Sequence, residues 1–186
     1  MTLVAIRMIL VLSLLTGVFY PLGMTGLAQV LFPRQANGSR IIDGGRVMGS
    51  DWIGQQFDDP NYFWSRLSAT APFPYNAASS SGSNYGPLNP DLRKAMEARR
   101  AALLAADPGN SLPVPIDLLT ASGSGLDPHI SPEAAAYQAR RVARLRGLTA
   151  ARLQEMIARH TRPRQLGFLG EPVVNVVLLN RELDRP

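Results

Sequence analysis

The hydrophobic pattern divides the chain near residue 34. From Met8 to Pro33 there are 26 consecutive residues without a charged side chain, and Arg34 follows them. As a helix rising about 1.5 Å per residue, this run spans roughly 39 Å, which exceeds the ~30 Å hydrocarbon core of a bilayer. The pattern predicts an N-terminal transmembrane anchor over residues 1–34, followed by one soluble domain over residues 35–186.

A cleavable signal peptide is the alternative interpretation of this segment. Arg7 would be its charged start, and Gly26 and Ala28 would be the small residues before a cleavage at Gln29. The apolar run continues beyond that position to Phe32, and this continuation favours a retained anchor.

Small residues and a proline lie inside the predicted anchor. Gly17 and Gly23 would let the backbone of a neighbouring helix approach closely, although glycine is also common in membrane helices generally. Pro21, after Tyr20, would kink a spanning helix, which membrane helices tolerate when neighbours satisfy the freed carbonyl. Arginines on both flanks leave the orientation undecided by the positive-inside rule.

Short apolar runs beyond the anchor predict strands. Ile41-Ile42 and Arg46-Val47-Met48 flank Asp43-Gly44-Gly45, which predicts a β-hairpin with a glycine-rich turn. A further short strand is expected near Trp52-Ile53. The β-branched, nearly all apolar run Pro172–Asn180 predicts a buried strand.

Capping residues predict three helices between these strands. Asn89-Pro90-Asp91 begins the first helix, which ends at Pro108-Gly109. Ser131-Pro132-Glu133 begins the second, with Gly147 as its C-cap, and Thr149 caps the third. Strands near both ends with helices between them indicate a mixed α+β domain.

Composition excludes several kinds of site. Without cysteine, the chain cannot contain a disulfide scaffold, a thiolate zinc site, an iron–sulfur cluster or a cysteine nucleophile. The net charge of +5 is concentrated in residues 131–186, which contain ten arginines and five acids. An anchored chain without a nucleic-acid-binding motif is a poor candidate for nucleic acid. Partner acids, lipid headgroups or solvent are therefore the expected neighbours of these arginines.

Searching for reactive chemistry finds no catalytic or metal-binding motif. The sequence has no Gly-x-Ser-x-Gly elbow, no Walker phosphate loop and no cluster of metal ligands. The most suggestive segment is the turn containing Ser122, Ser124 and Gly125, whose backbone N–H groups could hold a phosphate or another anion. A flexible connection is the alternative interpretation of this turn.

A second irregular segment covers residues 71–90 and is rich in Pro, Gly, Ser and Asn. It also contains Phe73, Tyr75 and Tyr85, which makes plain disorder a poor explanation. Loops of this length in compact domains are usually functional or disordered. The alternative is a loop whose aromatic side chains fill its own core.

A series of short motifs, in a fixed order over about 160 residues, resembles the KdpC family, the C subunits of bacterial Kdp potassium-transporting P-type ATPases. The motifs are Tyr20-Pro21, Gln35-Ala-Asn-Gly-Ser39, Gly49-Ser50, Ile53-Gly54-Gln55, Phe57, Tyr62-Phe63, Arg66-Leu-Ser-Ala-Thr70, Tyr75-Asn76, Gly82-Ser83-Asn84, Asn89-Pro90, Val114-Pro115, Leu119-Thr-Ala-Ser-Gly-Ser-Gly-Leu-Asp-Pro128, Ile130-Ser131, Ala134-Ala135, Gln138, Arg141-Val142-Ala143-Arg144, Gly170-Glu-Pro-Val-Val-Asn175 and Leu179-Asn180. Two positions depart from the usual family pattern: Leu67 stands where the family has proline, and Ser81 stands where it has glycine.

The resemblance implies a single-pass protein of the cell inner membrane, with a cytoplasmic N-terminus and a periplasmic α+β domain. It implies three partners: a channel-like potassium-binding subunit, a P-type ATPase subunit and a small fourth subunit. Membrane lipids would surround the anchor. The implied role is a non-catalytic accessory subunit that supports assembly and acts as a catalytic chaperone, raising the ATP affinity of the ATPase subunit.

This role requires no tightly bound cofactor, and ATP is reached only through the complex. A periplasmic domain cannot touch a nucleotide that is hydrolysed on the cytoplasmic side, so any effect on ATP affinity would be allosteric. A direct nucleotide contact would fall on Ser122, Ser124 and Gly125. The candidates for subunit contact are Gly17, Tyr20, Pro21, Gly23, Tyr75, Asn76, Ser83, Asn84, Asp127 and Gln138. The alternative function is an independent membrane-anchored periplasmic binding protein or enzyme.

Overall fold

The computed structural model describes residues 2–185 and contains two units, the first ending at Ser50 and the second beginning at Asp51. The predicted end of the anchor at residue 34 stays a prediction. The first unit begins with α1 (Thr2–Leu14), a π-helical turn (Leu15–Phe19) and α2 (Tyr20–Leu31), followed by the short α3 (Pro33–Ala36). Together, residues 2–31 form one apolar helix of 30 residues, long enough to cross a membrane.

The π-helical turn lies directly before Pro21. Proline has no N–H to donate to the carbonyl four residues earlier, which here belongs to Gly17. The preceding residue, Tyr20, donates its N–H to the carbonyl of Leu15, five residues back. The irregularity expected at Pro21 is therefore a local widening of the helix.

The predicted hairpin is confirmed. Strands β1 (Arg40–Asp43) and β2 (Arg46–Ser50) pair antiparallel around a two-residue turn. Gly44 and Gly45 have φ angles of +53° and +79°, the left-handed conformation that a tight hairpin turn of this type requires.

The second unit begins with an irregular segment. Residues 51–89, all of which the structure describes, contain no helix and no strand longer than a single bridge. The strand expected near Trp52-Ile53 is therefore wrong. Asn175 donates its side-chain N–H to the carbonyl of Asp51, and Gly54 donates its N–H to the carbonyl of Leu126. These two single hydrogen bonds hold the segment in place, and it does not form the repeated backbone bonds of a strand.

The predicted helices are confirmed, with their caps. They are α4 (Pro90–Ala106), α6 (Pro132–Arg146) and α7 (Ala150–Arg159), and a short α5 (Ile116–Leu119) follows α4. The side chains of Asn89, Ser131 and Thr149 each accept a bond from a backbone N–H in the first turn of the following helix. Gly147 ends α6 in the left-handed conformation.

A three-stranded antiparallel sheet completes the unit, which confirms the α+β class. Its strands are β3 (His129–Ile130), β4 (Thr161–Arg162) and β5 (Val173–Asn175), in the order β3-β5-β4. The strand predicted over Pro172–Asn180 is correct only for β5, because the chain then enters α8 (Val176–Leu183).

Asn175 explains that change of structure. Its side chain accepts the N–H of Leu178 and so caps α8. The apolar residues of α8 pack into the core, where Val176, Val177 and Leu179 are fully buried. A short, fully apolar run does not distinguish a buried strand from a buried helix, which is why the sequence pattern misled.

The core lies between the sheet, α6, α7, α8 and the irregular segment, which contributes Phe63 and Trp64. Polar side chains are buried here too, among them Gln138, Arg141, Asn175 and Asn180 at 1–2% exposure. Asn180 bonds both the N–H and the carbonyl of Phe63, at 2.9 Å each. Gln138 does the same for Trp64, so two amide side chains fasten the irregular segment to the helices.

Candidate functional site

Two loops that are distant in sequence, residues 66–82 and 121–129, are fastened to each other, and we call this pair the loop junction. It brings together most of the candidates predicted outside the anchor: Tyr75, Asn76, Ser122, Ser124, Gly125 and Asp127. The bonds that join the loops include Ser122 N–H to Leu67 O (2.9 Å), Ser81 N–H to Ser124 O (3.1 Å), Ser68 Oγ–H to Gly125 O (2.7 Å), Ser80 Oγ–H to Ser124 O (2.9 Å) and Arg66 Nη2–H to Ala121 O (3.1 Å).

The two departures from the family pattern are compatible with this junction. Leu67 contributes its backbone carbonyl, which a proline would also provide. Ser81 contributes its backbone N–H and is not among the described residues with a positive φ, so a glycine is not required there. Both departures therefore leave the bonds between the loops intact.

Close packing at the junction depends on Gly125. Its φ is +68°, and a Cβ at this position would lie 2.5 Å from Thr70 Cγ2 and 2.6 Å from the carbonyl oxygen of Ser81. Real Cβ atoms do not approach other heavy atoms so closely. Gly125 is therefore needed both for its backbone conformation and for the contact between the loops.

Two hydroxyl groups organise the loop 66–82. Ser68 Oγ accepts the N–H of Tyr75 (2.9 Å), and Thr70 Oγ1 accepts the N–H of Asn76 (3.0 Å). The Tyr75 hydroxyl donates to the carbonyl of Arg66 (2.7 Å), and burial raises the pKa of Tyr75 to about 12. Tyr75 thus fills the interior of its own loop, as the alternative interpretation of this segment expected.

The other two aromatic residues of that segment are exposed. Phe73 and Tyr85 have 57% and 42% of their surface accessible. Asn84 is also exposed, with a φ of +52°, and Ser83 beside it is half-buried. Phe73, Asn84 and Tyr85 are therefore surface residues rather than part of the packed interior of the loop.

Asp127 is held as a carboxylate at the second loop. Its Oδ1 accepts the backbone N–H (3.0 Å) and the ring Nδ1–H (2.9 Å) of His129, and Arg66 Nη1 lies 3.7 Å from Oδ2. Burial alone would raise the pKa of Asp127, but the bonds from His129 outweigh it and hold that pKa below its usual value. Asp127 therefore shapes the turn and is ionised at neutral pH.

A shallow pocket of about 380 Å³ lies beside Asp127 and His129. The residues that give it its chemistry are Trp52, Arg66, Ser122, Ser124, Asp127 and His129. The ring of Trp52 contacts His129 edge-on, with the ring centroids 6.3 Å apart. The described residues contain no group of three or more side chains able to hold a metal ion.

The predicted phosphate cradle is largely occupied by its own bonds. The N–H of Ser122 donates to Leu67, the N–H of Gly125 to the carbonyl and hydroxyl of Ser122, and the N–H of Leu126 to the hydroxyl of Ser124. Three backbone amides of the turn therefore maintain its shape. Ser124 stays exposed, whereas Ser122 and Gly125 are buried.

Gln138 lies away from the surface. Its side chain is 1% exposed and bonds the backbone of Trp64 and the guanidinium of Arg141. Its polar atoms are used inside the core, and a contact of Gln138 with another subunit stays a prediction.

The arginines after residue 139 mostly contact groups of this same chain. Arg144 pairs with Asp107 (3.1 Å) and Arg146 with Asp184 (2.9 Å). Three further pairs are Arg152–Glu155, Arg159–Glu182 and Arg164–Glu171. Acids of this same chain thus pair with much of the positive charge of residues 131–186.

The sequence pattern assigned no role to Ser68, Thr70, Arg66 or His129, whose side chains bond within and between the two loops, although the first three lie in one of the family motifs. A weak signal was present, since Ser68 and Thr70 are two apart and so lie on the same side of an extended segment. Their partners lie elsewhere in the chain and gave no local pattern.

The candidates in the first unit are all exposed in this chain. Gly17 lies in the π-helical turn, Tyr20 and Pro21 begin α2, and Gly23 lies one turn further. A Cβ at Gly17 or Gly23 would meet no atom within 4 Å. Both glycines are therefore exposed on the surface of the helix.

Comparison with known proteins identifies the family. The model of the family "KdpC: K+-transporting ATPase, c chain" matches residues 2–185. A protein of Methylococcus capsulatus is 63% identical over 180 residues, covering 97% of this chain and 95% of its own. Proteins of Herpetosiphon aurantiacus and Sorangium cellulosum are 61% and 59% identical, covering 97% of this chain and 94% and 95% of their own. All three are named potassium-transporting ATPase KdpC subunit. The chain belongs to the KdpC family of potassium-transporting ATPase subunits.

Proposed function

We propose that the chain is a non-catalytic accessory subunit, held in the cell inner membrane by its N-terminal helix, with a cytoplasmic N-terminus and a periplasmic domain. Its proposed partners are a channel-like potassium-binding subunit, a P-type ATPase subunit and a small fourth subunit. Membership of the KdpC family and the apolar helix of residues 2–31 support this assignment.

The non-catalytic role is supported by the hydroxyl groups of the loop junction, which are engaged in hydrogen bonds within the domain. The Ser68 hydroxyl bonds Gly125 and Tyr75, and the hydroxyls of Ser122 and Ser124 are 3.2 Å apart. A serine nucleophile instead gives its proton to a base. Although His129 lines the same pocket as Ser122 and Ser124, the Ser68 hydroxyl donates to a backbone carbonyl and the hydroxyls of those two serines lie within hydrogen-bond distance of each other. Groups engaged in this way support a rigid recognition surface, which we assign to docking on partner subunits outside the membrane.

The anchor supplies the second part of the proposal. Gly17 and Gly23 are exposed and have no side chain, which supports close packing against a helix of the channel-like subunit. The domain would then lie over the outer mouth of that subunit.

An effect on ATP affinity would pass through the complex. Linkage requires that if this chain raises the ATP affinity of the ATPase subunit, ATP raises the affinity of the complex for this chain by the same factor. ATP contact by this chain is not needed for such coupling, and the bonded amides around Ser122 support the indirect route.

Enlarging the glycines of the anchor tests the assembly role. Gly17→Leu and Gly23→Leu place a branched side chain where we expect a neighbouring helix. We expect recovery of this chain with the complex to fall roughly tenfold, equivalent to about 1.4 kcal/mol. The measurement is quantitative co-purification from gently solubilised membranes, normalised to the amount of chain present there.

Ala5→Leu is the matched control, because it adds similar bulk to the same helix outside the stretch that contains Gly17 and Gly23. It should assemble as the unaltered chain does. Normal recovery of both glycine variants would contradict the packing of this stretch against a partner helix.

A further inference from the structure

An exposed apolar tip projects from the sheet between β4 and β5. These strands pair antiparallel, with Arg162 opposite Val173, and the connecting loop covers residues 163–172. At its end, Leu166, Phe168 and Leu169 are 83%, 68% and 48% exposed. Three large apolar side chains are thus gathered on one loop, where they make little contact with the domain.

The tip has a defined backbone structure. Gln165 and Leu169 exchange two backbone bonds of 2.9 Å each, so the strand pairing resumes beyond the stem. Between them, Leu166 and Gly167 have φ angles of +53° and +82°. A left-handed conformation is unfavourable for leucine, and glycine or asparagine would form this turn more easily.

Folding of the domain does not account for Leu166. The side chain gains little burial and occupies a strained position, which points to a role in contact with something outside the domain. The same holds for Phe168, whose ring faces solvent.

Charged and aromatic groups lie at the base of the tip. The guanidinium of Arg162 stacks over the ring of Trp52, 4.8 Å from its centroid, and Trp52 is itself 56% exposed. Arg164 pairs with Glu171 across the loop. Apolar side chains at the end, with arginine and tryptophan behind them, follow the order of hydrocarbon and headgroup regions at a membrane surface.

We propose that residues 164–170 form a second, peripheral membrane contact, in which Leu166, Phe168 and Leu169 enter the lipid interface of the bilayer that holds the anchor. Tethering through residues 32–50 keeps the tip at a high effective concentration near that surface, so a small apolar area suffices. Lipid is favoured as the occupant because the apolar side chains stand on a projecting loop and are backed by the guanidinium of Arg162 and the ring of Trp52, which suit a headgroup region. This contact goes beyond the accessory role and depends only on attachment of the chain to the membrane by its N-terminal helix.

The chain has no cysteine, so a single introduced cysteine can be labelled selectively. Leu166→Cys in the full chain is labelled with an environment-sensitive fluorophore and reconstituted alone into vesicles of phosphatidylethanolamine and phosphatidylglycerol. We expect a blue-shifted emission that is quenched by lipid-attached quenchers. Leu88→Cys, at a position 96% exposed in another loop, is the control and should report water.

Phe168→Asp in the Leu166→Cys background should abolish the blue shift and the quenching. Because Phe168 is mostly exposed, this change should leave thermal unfolding unaltered, which separates loss of membrane contact from loss of folding.

Three results would overturn the proposal. The first is an emission from position 166 in vesicles that is not blue-shifted and so indicates an aqueous environment. The second is equal quenching at positions 166 and 88. The third is shielding of position 166 only after the partner subunits are added, which would mean that the tip binds protein. None of these results bears on co-purification of the complex, which tests the accessory role separately.

Discussion

Replacing Gln138 with leucine destabilises the domain by about 3–5 kcal/mol. The Gln138 side chain accepts the N–H of Trp64 (2.8 Å), donates to the Trp64 carbonyl (3.1 Å) and accepts from Arg141 (2.7 Å). Leucine can make none of these bonds, so two buried backbone groups and one guanidinium N–H lose their partner.

Arg141 makes this loss severe. Its side chain is 2% exposed and burial lowers its pKa to about 10, because the charged form has lost most of its solvation by water. With Gln138 absent, the carbonyl of Pro60 is the remaining acceptor that the described contacts give it, beside the ring of Trp64. A poorly compensated buried charge costs more than a lost neutral hydrogen bond.

The measurement is denaturant unfolding of the full chain in one detergent, compared with Gln154→Leu. Gln154 is exposed on α7, so the same chemical change there should alter the free energy of unfolding by no more than about 0.5 kcal/mol. Equal stability of the two variants would contradict the role of Gln138 as a core fastening.

Gly125→Ala has the second large effect, a loss of about 3 kcal/mol that is concentrated at the loop junction. The left-handed backbone at +68° disfavours alanine, and the new Cβ would overlap the Thr70 methyl group and the Ser81 carbonyl. Relief requires the two loops to separate. The expected signs are a lower unfolding temperature and faster proteolysis within residues 71–82.

Gly123→Ala is the matched control in the same turn. A Cβ at Gly123 would meet no atom within 4 Å, so this variant should fold and resist proteolysis like the unaltered chain. If the junction is a docking surface, Gly125→Ala should also reduce recovery with the complex, whereas Gly123→Ala should not. Equal stability, proteolysis and recovery of the two variants would contradict a structural or docking role of the loop junction.

Local chemistry made several elements predictable. The caps Asn89, Ser131 and Thr149, and the turn at Gly44-Gly45, act through bonds within a few residues, so their signals are complete in the sequence. The change from β5 to α8 was missed because a fully apolar run has no period that separates the two structures.

The candidate site was predictable only in part. Both loops were recognisable as unusual, but the bonds between Ser68 and Gly125, or Ser81 and Ser124, join residues more than 40 positions apart. The local sequence of neither loop indicates which residues of the other loop it will bond. The same reason hides the acids that pair with Arg144 and Arg146, and the burial of Gln138.

The central claim is that this chain works as an accessory subunit of a potassium-transporting ATPase. Its most direct test is a tagged pull-down of the full chain from gently solubilised membranes, with potassium-stimulated ATPase activity measured on the eluate. We expect three co-eluting partner chains and potassium-stimulated ATPase activity in the eluate. A well-folded chain that elutes alone, without ATPase activity, would contradict the central claim and would favour an independent periplasmic binding protein or enzyme.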